Sequence, residues 1–192
     1  RIAGKWLGRE VTAAALAEIE IRGAWLQAEF WARHWCVAAG NPLPVGPYRS
    51  MRRYLAEAPD ATFANDALLQ ALKRLRSVDD THPGLRDRIE ALDATPTLPA
   101  WSRGSALALL GGGARQWVKY FDKQWCSNNA TEWKQHHAWL ERVRARAEVL
   151  GTSMPQNSAA ELVELARLKR NLDPPADVRA LYEHALERSP DY

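Results

Sequence analysis

The spacing of helix-breaking residues is the feature of this chain that most limits its fold. Glycine, proline and asparagine cluster at intervals along the 192 residues, and the segments between the clusters run for roughly ten to thirty residues. Ala, Leu, Arg and Glu dominate those segments and are strong helix formers. No segment alternates apolar and polar residues in the manner of a half-buried strand. The sequence therefore predicts an all-α protein.

Apolar residues recur three or four positions apart in most of these segments, which is the pattern of a helix with one buried face. Thr12 is the expected N-cap of the first helix, and Asn129 has capping-box spacing with Glu132. Gly23 costs about 1 kcal/mol relative to alanine inside a helix, so it marks a close helix contact or a break. The predicted helices cover residues 12–39, 47–57, 61–78, 84–93, 99–110, 112–125, 130–150, 159–171 and 176–188.

The first predicted helix carries apolar residues on two sides. Leu16, Ile19 and Phe30 fall on one stripe, whereas Trp25 and Trp35 fall on another. A helix that is apolar on two sides is buried between neighbours. We therefore expect this helix to lie inside the protein.

The last two predicted helices carry a patterned set of residues. The second of them has a small residue, an aromatic residue, an alanine and a terminating proline at spacings of four, three and five: Val178, Tyr182, Ala185 and Pro190. The first has two large residues and a small one: Leu162, Leu165 and Ala166. This pair resembles a tetratricopeptide (TPR) repeat, which is a helix–turn–helix unit of about 34 residues.

The resemblance covers about 159–192, and the helices upstream do not repeat at that period. It implies an irregular, α-solenoid-like stack of helical hairpins that ends in a TPR-like helix pair, and it implies no activity. We expect residues 1–158 to form an irregular helical array and 159–192 the terminal hairpin, packed as one continuous domain. The whole chain also loosely resembles uncharacterised bacterial proteins that combine a degenerate helical domain with one such hairpin.

The net charge of the chain is small, and its sign alternates along the sequence. The net charge is +3, and basic residues exceed acidic ones in 1–58 and 101–151 whereas acidic residues prevail in 59–100 and 152–192. Because no single charged tail exists, weak nucleic-acid binding through basic helix faces is only an alternative function. No run of eighteen apolar residues is present, so we expect no transmembrane helix.

The two cysteines, Cys36 and Cys126, each follow a tryptophan. Neither belongs to a spacing that is typical of a zinc site. We expect two buried free thiols and a cytoplasmic protein. The alternative is one long-range disulfide between them, which would indicate an exported or periplasmic protein.

The strongest candidates for chemistry lie on the predicted helix 130–150. Glu132 and His136 are four residues apart, as are His137 and Glu141, so each pair lies on one helix face. Such pairs suit a metal or acid–base site, as in an all-α enzyme or a metal or haem binder with a Trp-lined pocket. Neither HExxH nor a pair of ExxH motifs is present. We therefore expect a partly buried His136, an exposed His137–Glu141 ion pair, and no metal or cofactor.

A small basic and aromatic cluster is a second candidate site. Tyr48, Arg49, Arg52 and Arg53 stand close together in the sequence, with Tyr54 beside them. Guanidinium groups in this density suit a phosphate or an acidic partner helix. The alternative is a solvated helix face with the two tyrosines packed inward.

Tryptophan is unusually frequent, with nine residues against three phenylalanines. Seven of the nine fall in two neighbourhoods, at 25, 31 and 35 and at 117, 125, 133 and 139. If the two neighbourhoods pack together, they form the core, and its edge is then the first place to look for a binding surface. Trp31 and Trp139 lie at the edges of the apolar stripes, where a tryptophan is either a core filler or an anchor for a binding partner.

These observations favour a non-catalytic protein–protein interaction module, such as an adaptor, a scaffold or an antagonist of another bacterial protein. Stacked helical hairpins leave grooved surfaces that suit protein or peptide partners. The sequence contains no recognised arrangement of catalytic residues. An enzyme or cofactor binder that uses His136 or His137 is the main alternative.

Overall fold

A computed structural model of the chain describes residues 2–74, 83–101 and 106–190. Those residues form helices and turns without a β-strand, so the predicted all-α class is confirmed. Their α-helices are α1 (Ile2–Leu7), α2 (Arg9–Trp25), α3 (Trp31–Cys36), α4 (Tyr48–Tyr54), α5 (Ala61–Lys73), α6 (Leu85–Glu90), α7 (Ala114–Asn128), α8 (Ala130–Thr152), α9 (Ala159–Leu172) and α10 (Arg179–Arg188).

The chain divides into two compact units. Unit 1 comprises Arg1–Phe30 and Met51–Gly111, and unit 2 comprises Trp31–Ser50 and Gly112–Tyr192. The two C-terminal helices therefore belong to the same unit as α7 and α8.

Unit 1 is built on α2, α5 and α6. Its core consists of small and aliphatic side chains from these three helices and the turn after α6: Ala13, Ala17, Ile21, Ala64, Leu68, Ala71, Leu85, Ile89 and Leu92. The carboxylate of Asp60 caps α5 by accepting hydrogen bonds from the backbone N–H groups of Thr62 and Phe63 at 2.8 and 3.2 Å. These bonds fix where α5 begins, because they satisfy amides that have no partner within the helix.

One of the two apolar stripes predicted for the first helix is buried in α2 and the other is only partly covered. Ala13, Ala17 and Ile21 are buried at intervals of four residues, and Trp25 continues this stripe and is also buried. On the other stripe, Leu16 is half-buried and Ile19 is 67% exposed. Two alanines on the inner face allow α5 and α6 to approach closely, and this contact decides which stripe is buried.

The predicted helix over 12–39 is interrupted. A π-helical turn at Leu26–Phe30 separates α2 from α3, and a 3₁₀ turn at Val37–Gly40 follows. The N-cap of α2 is Gly8 rather than Thr12, whose hydroxyl instead donates to the Gly8 carbonyl at 2.8 Å. A Cβ on Gly23 would meet no atom within 4 Å. Gly23 therefore does not mark a close contact, and the change in hydrogen-bonding register comes three residues later.

The predicted helix 61–78 ends at Lys73, and its residues 75–78 lie outside the described part of the chain. The helix predicted over 99–110 is absent at 99–101, and 102–105 are again outside the description. Residues Ala106–Gly113 form a 3₁₀ segment that is kinked at Gly111, where φ is 52°. A positive φ favours glycine, so this glycine run acts as the expected break between helices.

Unit 2 is organised by the 23-residue helix α8, on which α9 packs. Only Asn129 separates α7 from α8, and it does not form the predicted capping box. Its side-chain amide donates to the Trp125 carbonyl at 2.8 Å, so it serves the end of α7. The capping box of this unit lies at the start of α9, where the Ser158 hydroxyl and the Glu161 carboxylate each accept a backbone N–H.

Helix α10 packs on α9. Of the residues that carry the tetratricopeptide resemblance, Pro190 is exposed, Tyr182 is half-buried and the others are buried: Leu162, Leu165, Ala166, Val178 and Ala185. Among the described helices, none is both long enough and apolar enough to cross a membrane.

Candidate functional site

Tryptophans of α3, α7 and α8 form an aromatic cluster in unit 2. The ring centroid of Trp35 lies 5.7 Å from that of Trp125 and 5.4 Å from that of Trp133. Trp125 and Trp133 meet edge to face at 5.9 Å, and Trp31 stacks on Trp125 at 6.3 Å. Four tryptophans from the two sequence neighbourhoods thus come together. Offset and edge-to-face pairs of this kind stabilise a core beyond the area that they bury.

One face of α8 holds the turn that follows α3. The carbonyl oxygens of Ala38, Ala39 and Asn41 accept hydrogen bonds from His137 Nδ1 at 2.6 Å, Arg144 Nη2 at 2.8 Å and Trp133 Nε1 at 2.8 Å, respectively. Carbonyls at a helix end lack partners within the helix. Side chains of α8 supply partners to these carbonyls, and the Ala38 carbonyl also accepts the Asn41 backbone N–H at 3.2 Å.

This arrangement decides the role of His137. A carbonyl oxygen only accepts, so the Nδ1 atom of His137 bears a hydrogen and donates it, and this bond holds the ring as a structural group. The predicted His137–Glu141 ion pair is absent, because Glu141 pairs with Arg144 at 2.5 Å. His137 therefore has a structural role in holding the turn after α3, and it does not form a common site with His136.

His136 lies on a different side of α8, between two indole rings. Its ring centroid is 5.3 Å from that of Trp35 and 5.1 Å from that of Trp139. All three residues line a cleft of about 530 Å³ within unit 2, bounded by α3, α8 and the C-terminal end of α9. Glu132 lies one helical turn before His136 and lines the same cleft.

The environment of His136 keeps its imidazole neutral. Burial lowers the pKa of His136, and the nearby Glu132 carboxylate only partly opposes this effect. Its Nε2 atom is buried and has no hydrogen-bond partner in the part of the chain that the structure describes. A charged imidazole in that position would be strongly disfavoured.

The thiols of Cys36 and Cys126 are free and half-buried. Cys36 donates to the Asn171 carbonyl at 3.3 Å, and Cys126 donates to the Pro44 carbonyl at 3.4 Å. The disulfide alternative is therefore not formed in this structure. Burial raises the pKa of both thiols, with a further contribution from Asp173 at Cys36 and from Asp122 at Cys126. Protonated thiols are weak nucleophiles.

The candidate metal ligands do not form a ligand set. Glu132 and His136 share the cleft, but His137 is bound to the Ala38 carbonyl instead. Over the described ranges, no group of three or more His, Cys, Asp or Glu side chains is placed to hold a metal ion.

The basic and aromatic cluster lies on α4. Arg49, Arg52 and Arg53 are exposed, whereas Tyr48 and Tyr54 are half-buried. This matches a solvated helix face with tyrosines turned inward. The Tyr48 backbone N–H donates to Asp122 at 2.8 Å, and its ring lies 5.9 Å from that of Phe121.

Helix α7 presents an aromatic surface that the sequence did not reveal. Trp117, Tyr120 and Phe121 are 53%, 52% and 47% exposed. Their ring centroids lie 5.4 to 5.9 Å apart, so the three rings form one patch. Apolar spacing assigns Trp117 and Phe121 to a buried stripe with Trp125. The only sequence signal against that assignment is the crowding of three aromatic residues at positions i, i+3 and i+4.

The two edge tryptophans differ in their surroundings. Trp139 is exposed at the cleft, where it contacts His136. Trp31 is half-buried and stacked within the aromatic cluster. Trp139 therefore has the accessibility that an anchor for a ligand or partner needs.

Comparison of this chain with protein-family models, curated protein sequences and solved structures finds no match.

Proposed function

We propose that this protein is a non-catalytic protein-interaction module and that α7 is the helix that binds its partner. The observation that carries this proposal is the aromatic patch of α7, defined as Trp117, Tyr120 and Phe121, each about half exposed. Contiguous aromatic surface is costly to leave in water, and such patches mark interaction sites. Trp and Tyr are also the residues most enriched among binding hot spots.

The spacing of the patch suits a particular mode of recognition. Residues at i, i+3 and i+4 project from one side of a helix. An amphipathic helix that binds a protein commonly places anchors of this spacing in an apolar groove of its partner. We therefore infer a partner with an apolar groove of about helix width.

The charges of α7 lie away from the patch. Arg115, Lys119 and Lys123 recur every four residues along the helix and are exposed. At about 100° of rotation per residue, this basic stripe lies on the side of α7 roughly opposite the patch. The interaction proposed for the patch therefore rests on its aromatic rings and not on these charges.

The chemistry of the cleft in unit 2 supports a binding role rather than a catalytic one. His136 is neutral and has no hydrogen bond to Glu132 among the described residues, and the Cys36 thiol is protonated and engaged with a carbonyl. A nucleophile needs an adjacent base within hydrogen-bonding distance. We also propose that the protein acts as an adaptor, a scaffold or an antagonist of another protein, and that α9 and α10 form a TPR-like helix pair.

Affinity capture from the source cells tests this function. The baits are the wild-type protein, the triple variant Trp117→Ala/Tyr120→Ala/Phe121→Ala, and the control Trp6→Ala, which removes a tryptophan that is 84% exposed in unit 1. We expect one protein to be enriched by the wild type and the control but not by the triple variant. The captured protein is then purified, and its direct affinity for each bait is measured.

The expected loss of affinity is large, since a single hot-spot aromatic changes binding by about thirtyfold or more. Circular dichroism of the triple variant should match the wild type, because the three side chains are on the surface. Equal direct binding of the captured protein to the wild type and the folded triple variant would contradict the role of α7. Capture of no protein by any bait would contradict the interaction function itself.

A further inference from the structure

The cleft in unit 2 has the size and lining of a small-molecule site. Its volume of about 530 Å³ falls within the range of ordinary ligand pockets, roughly 300 to 1,000 Å³. Trp35 and Trp139 supply aromatic surface on either side of the His136 ring. The cleft and the α7 patch share no residue, since none of the three patch residues lines the cleft.

Two side chains of opposite charge line the cleft. Glu132 belongs to α8 and Arg170 to the last turn of α9, and both are exposed. Neither forms an ion pair within 4 Å in the described part of the chain, although other exposed charges of these helices do, such as Arg146 with Glu164. A carboxylate and a guanidinium that face one cleft without meeting are each available to a ligand.

The remaining lining is electrically neutral. Burial keeps the His136 imidazole uncharged, and the Cys36 thiol donates to the Asn171 carbonyl at the back of the cleft. Trp35 and Trp139 offer only ring faces and edges. A flat apolar group on the ligand can pack against these rings, whereas a third charge on the ligand would have no counterpart.

We propose that this cleft binds a small zwitterionic molecule whose ammonium and carboxylate groups flank a flat apolar body, as in an aromatic amino acid. The Arg170 guanidinium accommodates the carboxylate, since its planar fork matches carboxylate geometry. The Glu132 carboxylate accepts from the ammonium group. Trp139 packs against the body of the ligand. The proposed function of α7 does not depend on this site.

Three probes of similar size separate the contributions of the two charges. L-phenylalanine carries both groups, phenethylamine carries only the ammonium group, and 3-phenylpropionate carries only the carboxylate. Binding to the whole chain is measured by saturation-transfer NMR and calorimetry up to about 10 mM, since ligands of this size bind in the millimolar range or tighter. We expect L-phenylalanine to bind most tightly and each singly charged probe about tenfold more weakly.

Paired variants assign each contact. Glu132→Gln should weaken the binding of L-phenylalanine and phenethylamine about tenfold and leave that of 3-phenylpropionate unchanged. Arg170→Gln should weaken the binding of L-phenylalanine and 3-phenylpropionate about tenfold and leave that of phenethylamine unchanged. Trp139→Ala should weaken all three probes. Glu148→Gln and Arg167→Gln are matched controls, because these charges are exposed on the same two helices outside the cleft.

Three results would overturn the proposal. The first is that none of the three probes binds the wild type. The second is that the folded double variant Glu132→Gln/Arg170→Gln binds L-phenylalanine as well as the wild type. The third is that the control variants weaken binding as much as the cleft variants, which would show a general effect of net charge.

Discussion

The indole Nε1 of Trp133 donates a 2.8 Å hydrogen bond to the backbone carbonyl of Asn41, ninety-two residues earlier in the chain. Trp133 is fully buried, with 0% of its surface exposed. The same side chain therefore fills the centre of the aromatic cluster and satisfies a carbonyl in the loop after α3. A buried indole N–H without a partner would be costly, so the bond and the packing depend on each other.

Substitution of Trp133 separates these two contributions. Trp133→Phe keeps most of the ring but leaves the Asn41 carbonyl without its donor, and we expect it to lower the free energy of unfolding by about 1 to 3 kcal/mol. Trp133→Ala also opens a cavity and should cost about 3 to 5 kcal/mol. Urea unfolding followed by circular dichroism gives both values. A Phe variant as stable as the wild type would show that the hydrogen bond contributes nothing.

The helix caps give a second prediction. Ser158→Ala removes the hydroxyl of the α9 capping box and should cost about 1 kcal/mol. Asn129→Ala, at the position where the sequence pattern places a capping box, removes only a bond to the Trp125 carbonyl and should cost less. Thermal unfolding of both variants makes the comparison. A larger loss for Asn129→Ala would indicate that Asn129 caps α8 after all.

Two glycines are expected to respond in opposite ways to alanine. A Cβ on Gly46 would lie 2.3 to 2.5 Å from side-chain atoms of Asp122, which accepts the Tyr48 N–H. Gly46→Ala should therefore destabilise the protein by about 1 to 3 kcal/mol. A Cβ on Gly23 meets nothing within 4 Å, so Gly23→Ala in the interior of α2 should stabilise by about 0.5 to 1 kcal/mol. Urea midpoints decide both signs.

The buried histidines predict a pH dependence of stability. Burial lowers the pKa of both His34 and His136 from the ordinary value of 6.5. Below that pH the unfolded chain binds protons that the folded chain does not. The free energy of unfolding should therefore fall as the pH is lowered through about 6.5. Glu161 and Glu164 have pKa values held below 4.5 by hydrogen bonds, so their contribution is lost only at lower pH.

A histidine variant isolates this effect. His136→Gln cannot be protonated, so the slope of stability against pH between about pH 7.5 and pH 5.5 should be shallower than in the wild type. His184→Gln, at an exposed position of α10, is the matched control and should keep the wild-type slope. Chemical denaturation at a series of pH values measures the slopes. An unchanged slope in His136→Gln would show that this imidazole titrates alike in both states.

The two thiols offer a chemical readout of the cleft. Both have raised pKa values, so iodoacetamide at neutral pH should modify them far more slowly in the folded protein than in urea. Cys36 lines the cleft and Cys126 does not. L-phenylalanine should therefore slow the alkylation of Cys36 in Cys126→Ser and leave that of Cys126 unchanged in Cys36→Ser. Equal protection of both thiols would argue against binding in the cleft.

The sequence located the chemistry of this protein only in part. It predicted a partly buried His136, which is confirmed, and an exposed His137 paired with Glu141, which is wrong. His137 instead is half-buried and binds the Ala38 carbonyl. Which carbonyl lies opposite His137 depends on residues about a hundred positions away, and no local spacing encodes that.

Apolar periodicity did not predict which large side chains of α2 and α7 are buried. Ile19, Trp117 and Phe121 are large and apolar but exposed, whereas Ala13 and Ala17 are buried. Periodicity shows which residues share a helix face. It does not show whether a neighbouring helix covers that face, since the cover comes from distant parts of the chain.

The sequence by itself determined that the chain is helical, where most helices end, and that its tryptophans gather in two neighbourhoods. These are local properties, because propensity and helix breakers act over a few residues. The tertiary structure alone decided that Trp35, Trp125 and Trp133 pack together, that α7 exposes its aromatic patch, and that Glu132 and Arg170 share one cleft. Each of these depends on contacts between segments far apart in sequence, where packing overrides local preference.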